Sequence, residues 1–246
     1  MGIQSYTISY LVPGVGFNSE ELERRRRILQ SYASDGVTVQ VATIKEGPMS
    51  VESFYDAAFA GPPMLRAVTD IEAKGYKAII IGGYFDPFIE AAREIALIPI
   101  VGPGETSMFF ASSVCRKFSI VTMLPRAIPI LQKQVKALGI ESKIASLRAI
   151  QFPVIEVDRH TEQTKEALLE QYMRARDEDG AEAVIPGNMS LSFLQAHAEF
   201  EKRLGIPVLD PASLAVKMAE VMVSLGLSHS KVAYPKPRNT YQIKSS

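Results

Sequence analysis

Short apolar runs alternate along the chain with longer stretches in which apolar residues recur every three or four positions. The runs have the length of buried strands, and the stretches have the spacing of amphipathic helices. The predicted strands are Tyr6–Val12, Val37–Ile44, Ala78–Ile81, Ile98–Val101, Phe118–Thr122, Lys143–Ile150, Ala183–Ile185 and Ile206–Leu209. The predicted helices are Ser19–Ser34, Met64–Lys74, Asp86–Ala96, Glu105–Cys115, Pro125–Leu138, Thr161–Asp179, Leu191–Leu204 and Pro211–Leu225. Alternating strands and helices predict an α/β fold with parallel sheets covered on both faces.

Three stretches have features that the alternation of strands and helices does not describe. Glu46–Pro63 is bounded by Gly and Pro and is predicted to be loop-like, with a short aromatic helix that leans over a cleft. Within it, Tyr55 and Phe59 either cover the cleft or pack in the core. Thr161 is the expected N-cap of its helix, supported by a Glu162–Lys165 pair. The tail from residue 228, which contains two prolines, is predicted to be extended and partly disordered at its end.

One pattern occurs twice, about one hundred residues apart. Ala78–Ala92 (AIIIGGYFDPFIEAA) and Ala183–Ala196 (AVIPGNMSLSFLQA) each contain an apolar run, a Gly turn and the start of a helix. In a parallel sheet such turns lie at the carboxyl ends of strands, where helix N–H groups face a ligand crevice. We therefore predict two pseudo-symmetric α/β lobes with the active site between them, its chemistry decided at Gly83 and Asn188. The alternative is one continuous doubly wound sheet.

The predicted lobe boundaries follow from this duplication. Residues 1–112 with 212–246 form the first lobe, and 113–211 form the second; the last helix packs back on the first lobe.

Composition narrows the function classes. Lys plus Arg equals Asp plus Glu at 27 each, so no overall charge favours nucleic acid. The basic run Arg24–Arg27 follows three glutamates, and we interpret it as a solvated, salt-bridged helix face. No apolar run has the length of a membrane span, and no basic-then-apolar signal segment is recognised at the N-terminus. A single cysteine fits a reducing compartment, so a cytoplasmic location is expected.

Several segments resemble one family. GGYFDPFIEAAREIALIPIVGPGETSM, KFSIVTMLPRAIPILQKQVKALGI and GAEAVIPGNMSLSFLQAHAEFEKRLGIPVLDPASLAVKMAEVMVSLGL are similar to hydantoin and allantoin racemases, within the aspartate/glutamate racemase superfamily. The resemblance covers roughly residues 60 to 237. It implies the two-lobed α/β fold, a small-molecule substrate, neither metal nor organic cofactor, and assembly into homo-oligomers.

The chain departs from this family at the positions that carry its chemistry. The resemblance implies two cysteines that face each other across the substrate, one removing the α-proton and the other returning a proton. The matching positions hold Gly83 and Asn188, and Leu11–Gly14 (LVPG) replaces the family's Asn-Pro-Asn turn. Glycine has no side chain, and an Asn amide does not exchange protons usefully near pH 7. We therefore predict that the chain cannot run two-thiol racemisation.

The residues at the two turns are candidates for substrate binding. Gly83 either allows a tight turn or leaves room for a bulkier, planar substrate. Tyr84 is either a phenolic donor in the cleft or core packing. Asn188 either faces the ligand or caps its helix, and the N–H groups of Met189 and Ser190 are predicted to cradle an anion.

Proton transfer needs other groups. Asp86 is a candidate base or the N-cap of its own helix, with a proline at the first helical position. Glu105 and His160 are further candidates for catalysis. Thr106 and Ser107 are candidate substrate ligands or helix caps, and Thr122 a candidate ligand for a substrate oxygen or a strand terminus. The remaining titratable candidates are interpreted as structural: Cys115 as a buried, inert thiol, and His197 and His229 as surface residues.

Two function classes remain open. The first is an enzyme that acts on a small carboxylate or cyclic ureide without cysteine, by hydrolytic ring opening, decarboxylation or isomerisation, with an anion cradle and an acid/base side chain or a water. The alternative is a non-catalytic protein that binds a small anion on a racemase scaffold. A minor third possibility is a racemase that uses other acid/base residues.

Overall fold

The computed structural model describes residues 5–152, 154, 157 and 160–238, and it has the expected alternation of strands and helices. The strands are β1 (Tyr6–Val12), β2 (Val37–Thr43), β3 (Ala78–Ile81), β4 (Ile100–Val101), β5 (Phe118–Thr122), β6 (Ile144–Ala149) and β7 (Ala183–Pro186). The helices are α1 (Ser19–Tyr32), α2 (Phe54–Ala73), α3 (Ile89–Ile95), α4 (Pro103–Val114), α5 (Ile128–Ala137), α6 (Thr161–Asp177), α7 (Met189–Ser192), α8 (His197–Leu204) and α9 (Pro211–Ser224). The chain is therefore an α/β protein.

The strands form two parallel sheets that repeat the same order. The first sheet has the order β2-β1-β3-β4, and the second has the order β6-β5-β7. A single β-bridge between Val184 and Val208 occupies the position in the second sheet that is equivalent to β4 in the first. The predicted strand Ile206–Leu209 is thus reduced to one bridge, partly because Pro207 has no N–H to donate. In the described residues the strands form two sheets, and the single continuous sheet considered above is wrong.

A shared apolar core joins the sheets. Ile8 and Tyr10 of β1 and Phe118 and Ile120 of β5 are fully buried and belong to one cluster. Helix α9 adds Ala215 to this cluster and packs mainly on α4, with further contacts to α1, β3 and β4. Burial of this kind contributes roughly 25 cal/mol per Å² of apolar surface. The lobe boundaries proposed from the sequence stay a prediction.

Helix α2 is longer than the sequence predicts. It begins at Phe54 and continues through Pro62 and Pro63, so Glu46–Pro63 is not a loop throughout. The helix starts well because the Ser53 hydroxyl accepts the N–H of Asp56 at 3.1 Å. Its buried face, which includes Pro63 itself, packs in the core and offsets the backbone hydrogen bonds that the prolines remove.

Left-handed backbone residues shorten other predicted helices. Helix α3 begins at Ile89 rather than Asp86, because Asp86 and Phe88 have φ values of 50° and 58°. The predicted helix Leu191–Leu204 is interrupted between α7 and α8, where Gln195 has a φ of 52°. These two predicted helices were therefore wrong in extent.

The start of α6 also differs from the prediction. His160, not Thr161, occupies the N-cap position, and its side chain makes no capping hydrogen bond. The predicted pair of Glu162 and Lys165 is present, with 2.9 Å between Oε1 and Nζ.

The segment after α9 packs back on the first sheet instead of extending into solvent. The Nζ of Lys231 donates to the carbonyl oxygens of Arg93 and Ala96, at 2.6 and 2.5 Å. The Nε2 of His229 accepts the N–H of Ile100 in the edge strand β4 at 2.8 Å. His229 is therefore not a free surface residue, and burial, aided by the charge of Arg93, lowers its pKa to about 4. The predicted disorder at the end of the tail concerns residues 239–246, outside the described residues.

Among the described residues, no helix is both long enough and apolar enough to cross a bilayer.

Candidate functional site

Gly83 and Asn188 line the same cavity, each two residues beyond the end of its strand. The two turns are held alike: Gly82 N–H donates to Leu11 O at 2.7 Å, and Gly187 N–H donates to Val121 O at 2.8 Å. A Cβ on Gly82 would lie 2.7 Å from the oxygen of Leu11, and one on Gly187 would lie 2.6 Å from an Ile120 methyl. Positions 82 and 187 therefore require glycine, and the residue after each of them, Gly83 or Asn188, lines the cavity.

The cavity is small and covered. Its lining residues are Val12, Pro13, Gly14, Phe17, Arg25, Ser50, Val51, Gly82, Gly83, Tyr84, Phe85, Pro87, Val154, Asn188, Met189 and Ser190. Its volume is ≈ 40 Å³, room for a few waters at roughly 10–15 Å³ each. Ser50 and Val51 belong to a segment that is held over the site by hydrogen bonds from Val15 and Gly16 to backbone carbonyls. A ring-sized ligand therefore requires this cover to move.

Gly83 leaves limited additional room. A Cβ at this position would lie 3.1 Å from Pro87 Cδ and 3.3 Å from Pro13 Cγ. Its φ lies outside the left-handed region, so its backbone does not require glycine. A small side chain therefore fits if the two prolines shift by a few tenths of an ångström.

Asn188 is a helix cap that also lines the cavity, so the two interpretations from the sequence are compatible. Its Oδ1 accepts the N–H of Ser190 at 2.8 Å at the start of α7. That N–H is consequently not available to a ligand. The predicted cradle made by the N–H groups of Met189 and Ser190 is therefore wrong for Ser190.

Arg25 is a cavity residue that the sequence analysis assigned to a solvated face. Its side chain is 2% exposed, and its Nη2 donates to Ser190 Oγ at 3.0 Å. Its Nε donates to Glu21 Oε1 at 2.7 Å, and its guanidinium lies 3.9 Å from the centroid of the Phe17 ring. Helical spacing contained the missed signal, because Arg25 and the buried Leu29 lie one turn apart on the same face of α1.

Glu21 is the carboxylate partner of Arg25. It accepts hydrogen bonds from Arg24 as well as from Arg25. Burial disfavours its ionised form, but the hydrogen bonds from both arginines outweigh burial and lower the pKa of Glu21. The carboxylate is thus ionised and shared between two guanidinium groups.

Tyr84 lines the cavity and is also a core residue. It is buried, and its hydroxyl lies 3.4 Å from Ser107 Oγ. Burial raises the pKa of Tyr84. The phenol therefore stays protonated near neutral pH and is not a ready proton carrier.

Asp86 caps a different helix from the one predicted. Its Oδ1 accepts the N–H of Gly104 at 2.9 Å and its Oδ2 accepts the N–H of Glu105 at 2.7 Å, both in the first turn of α4. Gln134 donates a third hydrogen bond at 2.8 Å. Burial, and then the charge of Glu105, raises the pKa of Asp86 well above its usual value. Asp86 does not line the cavity, and its carboxylate ties the turn that carries Gly83 to α4.

The other polar candidates also lie outside the cavity lining. Glu105 forms an ion pair with Arg93, and Thr106 lies buried beside it in α4. Ser107 donates to the carbonyl of Gly104 at 3.0 Å. Thr122 donates to Gly187 O at 3.1 Å and so supports the second turn from behind. His160 is exposed and lies beside Gln163, 3.2 Å from its side-chain oxygen.

The remaining candidates have structural or peripheral places. Tyr55 and Phe59 are exposed at 71% and 57%, along a groove that shares Ser50 with the cavity, and they are not core residues. Cys115 is only partly buried; its pKa is raised by burial and its thiol contacts Ala111 O. His197 is partly buried, with Nδ1 enclosed. No group of three or more potential metal ligands occurs in the part of the chain that the structure describes.

Two matching parallel sheets, with a cavity where equivalent strands end, define a duplicated α/β protein with a site for a small ligand. The sequence model described as Asp/Glu/Hydantoin racemase matches residues 18–219, and the chain belongs to this family. A hydantoin racemase from Rhizobium meliloti is 35% identical over 201 residues, which cover 80% of this chain and 83% of that protein.

Solved structures agree with this assignment. The structure of an allantoin racemase from Klebsiella pneumoniae is similar with a TM-score of 0.89 and 29% identity, covering 97% of both chains. The allantoin racemase from Pseudomonas fluorescens gives a TM-score of 0.90 and 27% identity, covering 97% of this chain and 100% of the other. The family is thus clear, although Cys115 is the only cysteine of the chain and does not line the cavity.

Proposed function

We propose that this protein binds a small carboxylate or cyclic ureide in the cavity at Gly83 and Asn188 and transforms it without cysteine. One observation carries the proposal. The two positions that the family resemblance assigns to thiols line one cavity, and neither has a side chain that exchanges protons. The racemase scaffold supports a small-molecule enzyme, and the residues at the cavity argue against two-thiol racemisation.

The cavity supports chemistry that passes through an anion. Arg25 places a fixed positive charge there, and the Asn188 amide and the Ser190 hydroxyl add polar groups. Preorganised charges in a site with little water stabilise a developing enolate or oxyanion strongly. Hydrolytic ring opening, decarboxylation and isomerisation each form such an anion. In this proposal a water carries the proton, because Asp86, Glu105 and His160 do not line the cavity.

The location of Asp86, Glu105 and His160 outside the cavity lining also favours the second candidate, a protein that binds the same ligands without turnover. A buried arginine and an amide are sufficient to hold an anion. The minor alternative, racemisation by other residues, needs two proton carriers on opposite faces of the cavity. Tyr84 is one titratable residue in the described lining, and its raised pKa disfavours that role. Homo-oligomer formation stays a prediction from the family resemblance.

The candidates differ in what they do to a ligand. We would incubate the protein in D2O with hydantoin, 5-methylhydantoin, allantoin and malonate, and follow products and α-deuterium by NMR. Calorimetry on the same ligands measures binding. Product formation supports the enzyme, and saturable binding without product or exchange supports the binder. Exchange that accompanies racemisation supports the minor alternative, and neither binding nor turnover contradicts all three.

A cavity-filling variant is the control for the location of the site. Gly83→Val places a larger side chain between Pro13 and Pro87, where the space is limited. We expect this variant to stay folded and to lose binding or turnover. Unchanged activity would show that the ligand occupies another site.

A further inference from the structure

The side chains at the cavity have more hydrogen-bond donors than acceptors to offer. Arg25 has five N–H donors and no acceptor. Two of its nitrogens are used, Nε toward Glu21 and Nη2 toward Ser190. Among the described residues, Nη1 has no hydrogen-bond partner. Arg25 thus keeps N–H groups for a ligand on a side chain that is itself almost completely buried.

The neighbouring polar side chains of Asn188 and Ser190 also offer donors to a ligand. The Oδ1 of Asn188 already accepts the N–H of Ser190, which leaves its Nδ2 group as the donor. The Oγ of Ser190 accepts a hydrogen bond from Arg25, so the hydroxyl hydrogen of Ser190 points away from Arg25 and can be donated to another group. Three adjacent groups therefore offer donors to the same small volume.

Charged side-chain acceptors for a ligand's N–H groups are lacking by comparison. The described residues that line the cavity include no Asp or Glu. Glu21 is occupied by Arg24 and Arg25. A cyclic ureide presents ring N–H groups as well as carbonyls, and a buried N–H without an acceptor costs about 1–3 kcal/mol. A carboxylate presents acceptors only.

We propose that the cavity selects a carboxylate over a neutral cyclic ureide, with Arg25 as the residue that binds it. The inference rests on the proposed function, because it concerns the same cavity. Guanidinium and carboxylate groups form short, charge-assisted hydrogen bonds in the fork geometry of Arg. Arg25 is thereby a specificity residue, whichever bond the protein changes.

The first test compares matched ligands by calorimetry at fixed ionic strength. Malonate and succinate represent carboxylates, and hydantoin and 5-methylhydantoin represent ureides. We expect the carboxylates to bind at least about tenfold more tightly. Arg25→Met should weaken carboxylate binding much more than hydantoin binding and so remove that preference, because it removes a charge-assisted contact. Arg26→Met is the matched control, since Arg26 lies on the same helix, pairs with Glu23 and does not line the cavity.

Arg25 is buried, so a second pair of variants tests the inference without removing it. Ser190→Asp places a tethered carboxylate next to Nη2 of Arg25, and Ser190→Asn is its neutral counterpart of similar size. We expect Ser190→Asp to weaken malonate binding much more than Ser190→Asn does, because only the tethered carboxylate occupies the Arg25 guanidinium. Both variants are checked by circular dichroism and thermal unfolding.

The outcomes separate this inference from the proposed function. Equal or tighter binding of hydantoins overturns carboxylate selection and leaves the proposed function standing. Malonate binding that is equal in the Ser190→Asp and Ser190→Asn proteins, or weakened as much by Arg26→Met as by Arg25→Met, overturns the role of Arg25. If no probe binds, both the inference and the proposed function are wrong.

Discussion

Asp86 and Gly104 join the turn after β3 to the first turn of α4, with 2.9 Å between the Asp86 Oδ1 and the Gly104 nitrogen. The contact leaves no room for a side chain at position 104. A Cβ there would lie 2.0 Å from Tyr84 O and 2.5 Å from Gln134 Nε2. The location of Gly83 in the cavity wall therefore depends on a glycine more than twenty positions later in the chain.

Gly104→Ala should destabilise the protein by about 3 kcal/mol, because the added methyl meets the fixed carbonyl of Tyr84 as well as flexible side chains. The free energy of unfolding in urea measures the change. Ser113→Ala on the exposed side of the same helix is the control and should stay within about 0.5 kcal/mol of the wild type. A loss at position 104 as small as that of the control would show that the turn and α4 are not packed together.

The pKa of Asp86 predicts a pH dependence of stability. Its folded-state pKa is raised above the usual 3.8, so the folded protein keeps this proton in a range where the unfolded chain has lost it. The contribution is fully present below pH 3.8 and is lost as the pH rises through the folded pKa.

Asp86→Asn removes the titration and keeps the side-chain shape. The difference in unfolding free energy, wild type minus variant, should decrease as the pH rises above 3.8. Urea titrations at a series of pH values measure this difference. An increase over the same range would mean that the hydrogen bonds to Asp86 outweigh its burial.

The positional match to the family's thiols can be tested by restoring them. Gly83→Cys with Asn188→Cys should give at least about tenfold more α-deuterium exchange on 5-methylhydantoin than the wild type, because a second thiol allows acid and base to act together. Each single variant is a control and should gain much less. A folded double variant with no gain contradicts the placement of these two side chains on opposite sides of the ligand.

The contact between His229 and β4 predicts acid sensitivity of the C-terminal segment. The pKa of His229 is lowered from 6.5 to about 4, so the neutral ring is favoured in the folded state. Stability from this group is present above pH 6.5 and is lost as the pH falls toward 4. The protection factor of the Ile100 amide, which corrects for the pH dependence of free-amide exchange, should fall over that range, since the protonated ring cannot accept its N–H.

His229→Leu provides the comparison for that experiment. We expect faster exchange at Ile100 at neutral pH and a loss of about 1 kcal/mol of stability, because one buried donor loses its acceptor. Val232→Ala changes a side chain that is 94% exposed and should leave both quantities unchanged. Equal protection of Ile100 in wild type and His229→Leu would show that another group accepts this hydrogen bond.

The sequence predicted the elements that depend on local pattern. β1 and β5 have the predicted bounds because both are apolar runs of strand length with clear breaks. α2 was missed at Pro62 and Pro63, where a well-packed face overrides local helix propensity. The loop-to-helix boundary at Asp86 was missed for another reason, because its carboxylate bonds to residues eighteen and nineteen positions away.

In the cavity, too, the sequence predicted what depends on local pattern and missed what depends on contacts between distant residues. Gly83 and Asn188 were found because they follow strands of a repeated pattern. Arg25 was assigned to solvent because the interpretation of Arg24–Arg27 relied on their charge and not on their helical spacing. Its contact with Ser190 was not predictable from the sequence, because the tertiary fold brings these two residues together. Asp86, Glu105 and His160 have suitable chemistry, but the folded chain places each of them outside the cavity lining and beside other partners.

The amides of Gly82 and Gly187 anchor both turns through the main chain alone. Neither anchor uses the side chain of the next residue, so a substitution at position 83 or 188 leaves these two main-chain bonds in place. The paths of both turns are thereby uncoupled from the chemistry of the residues that they present to the cavity, apart from the cap that Asn188 gives to α7.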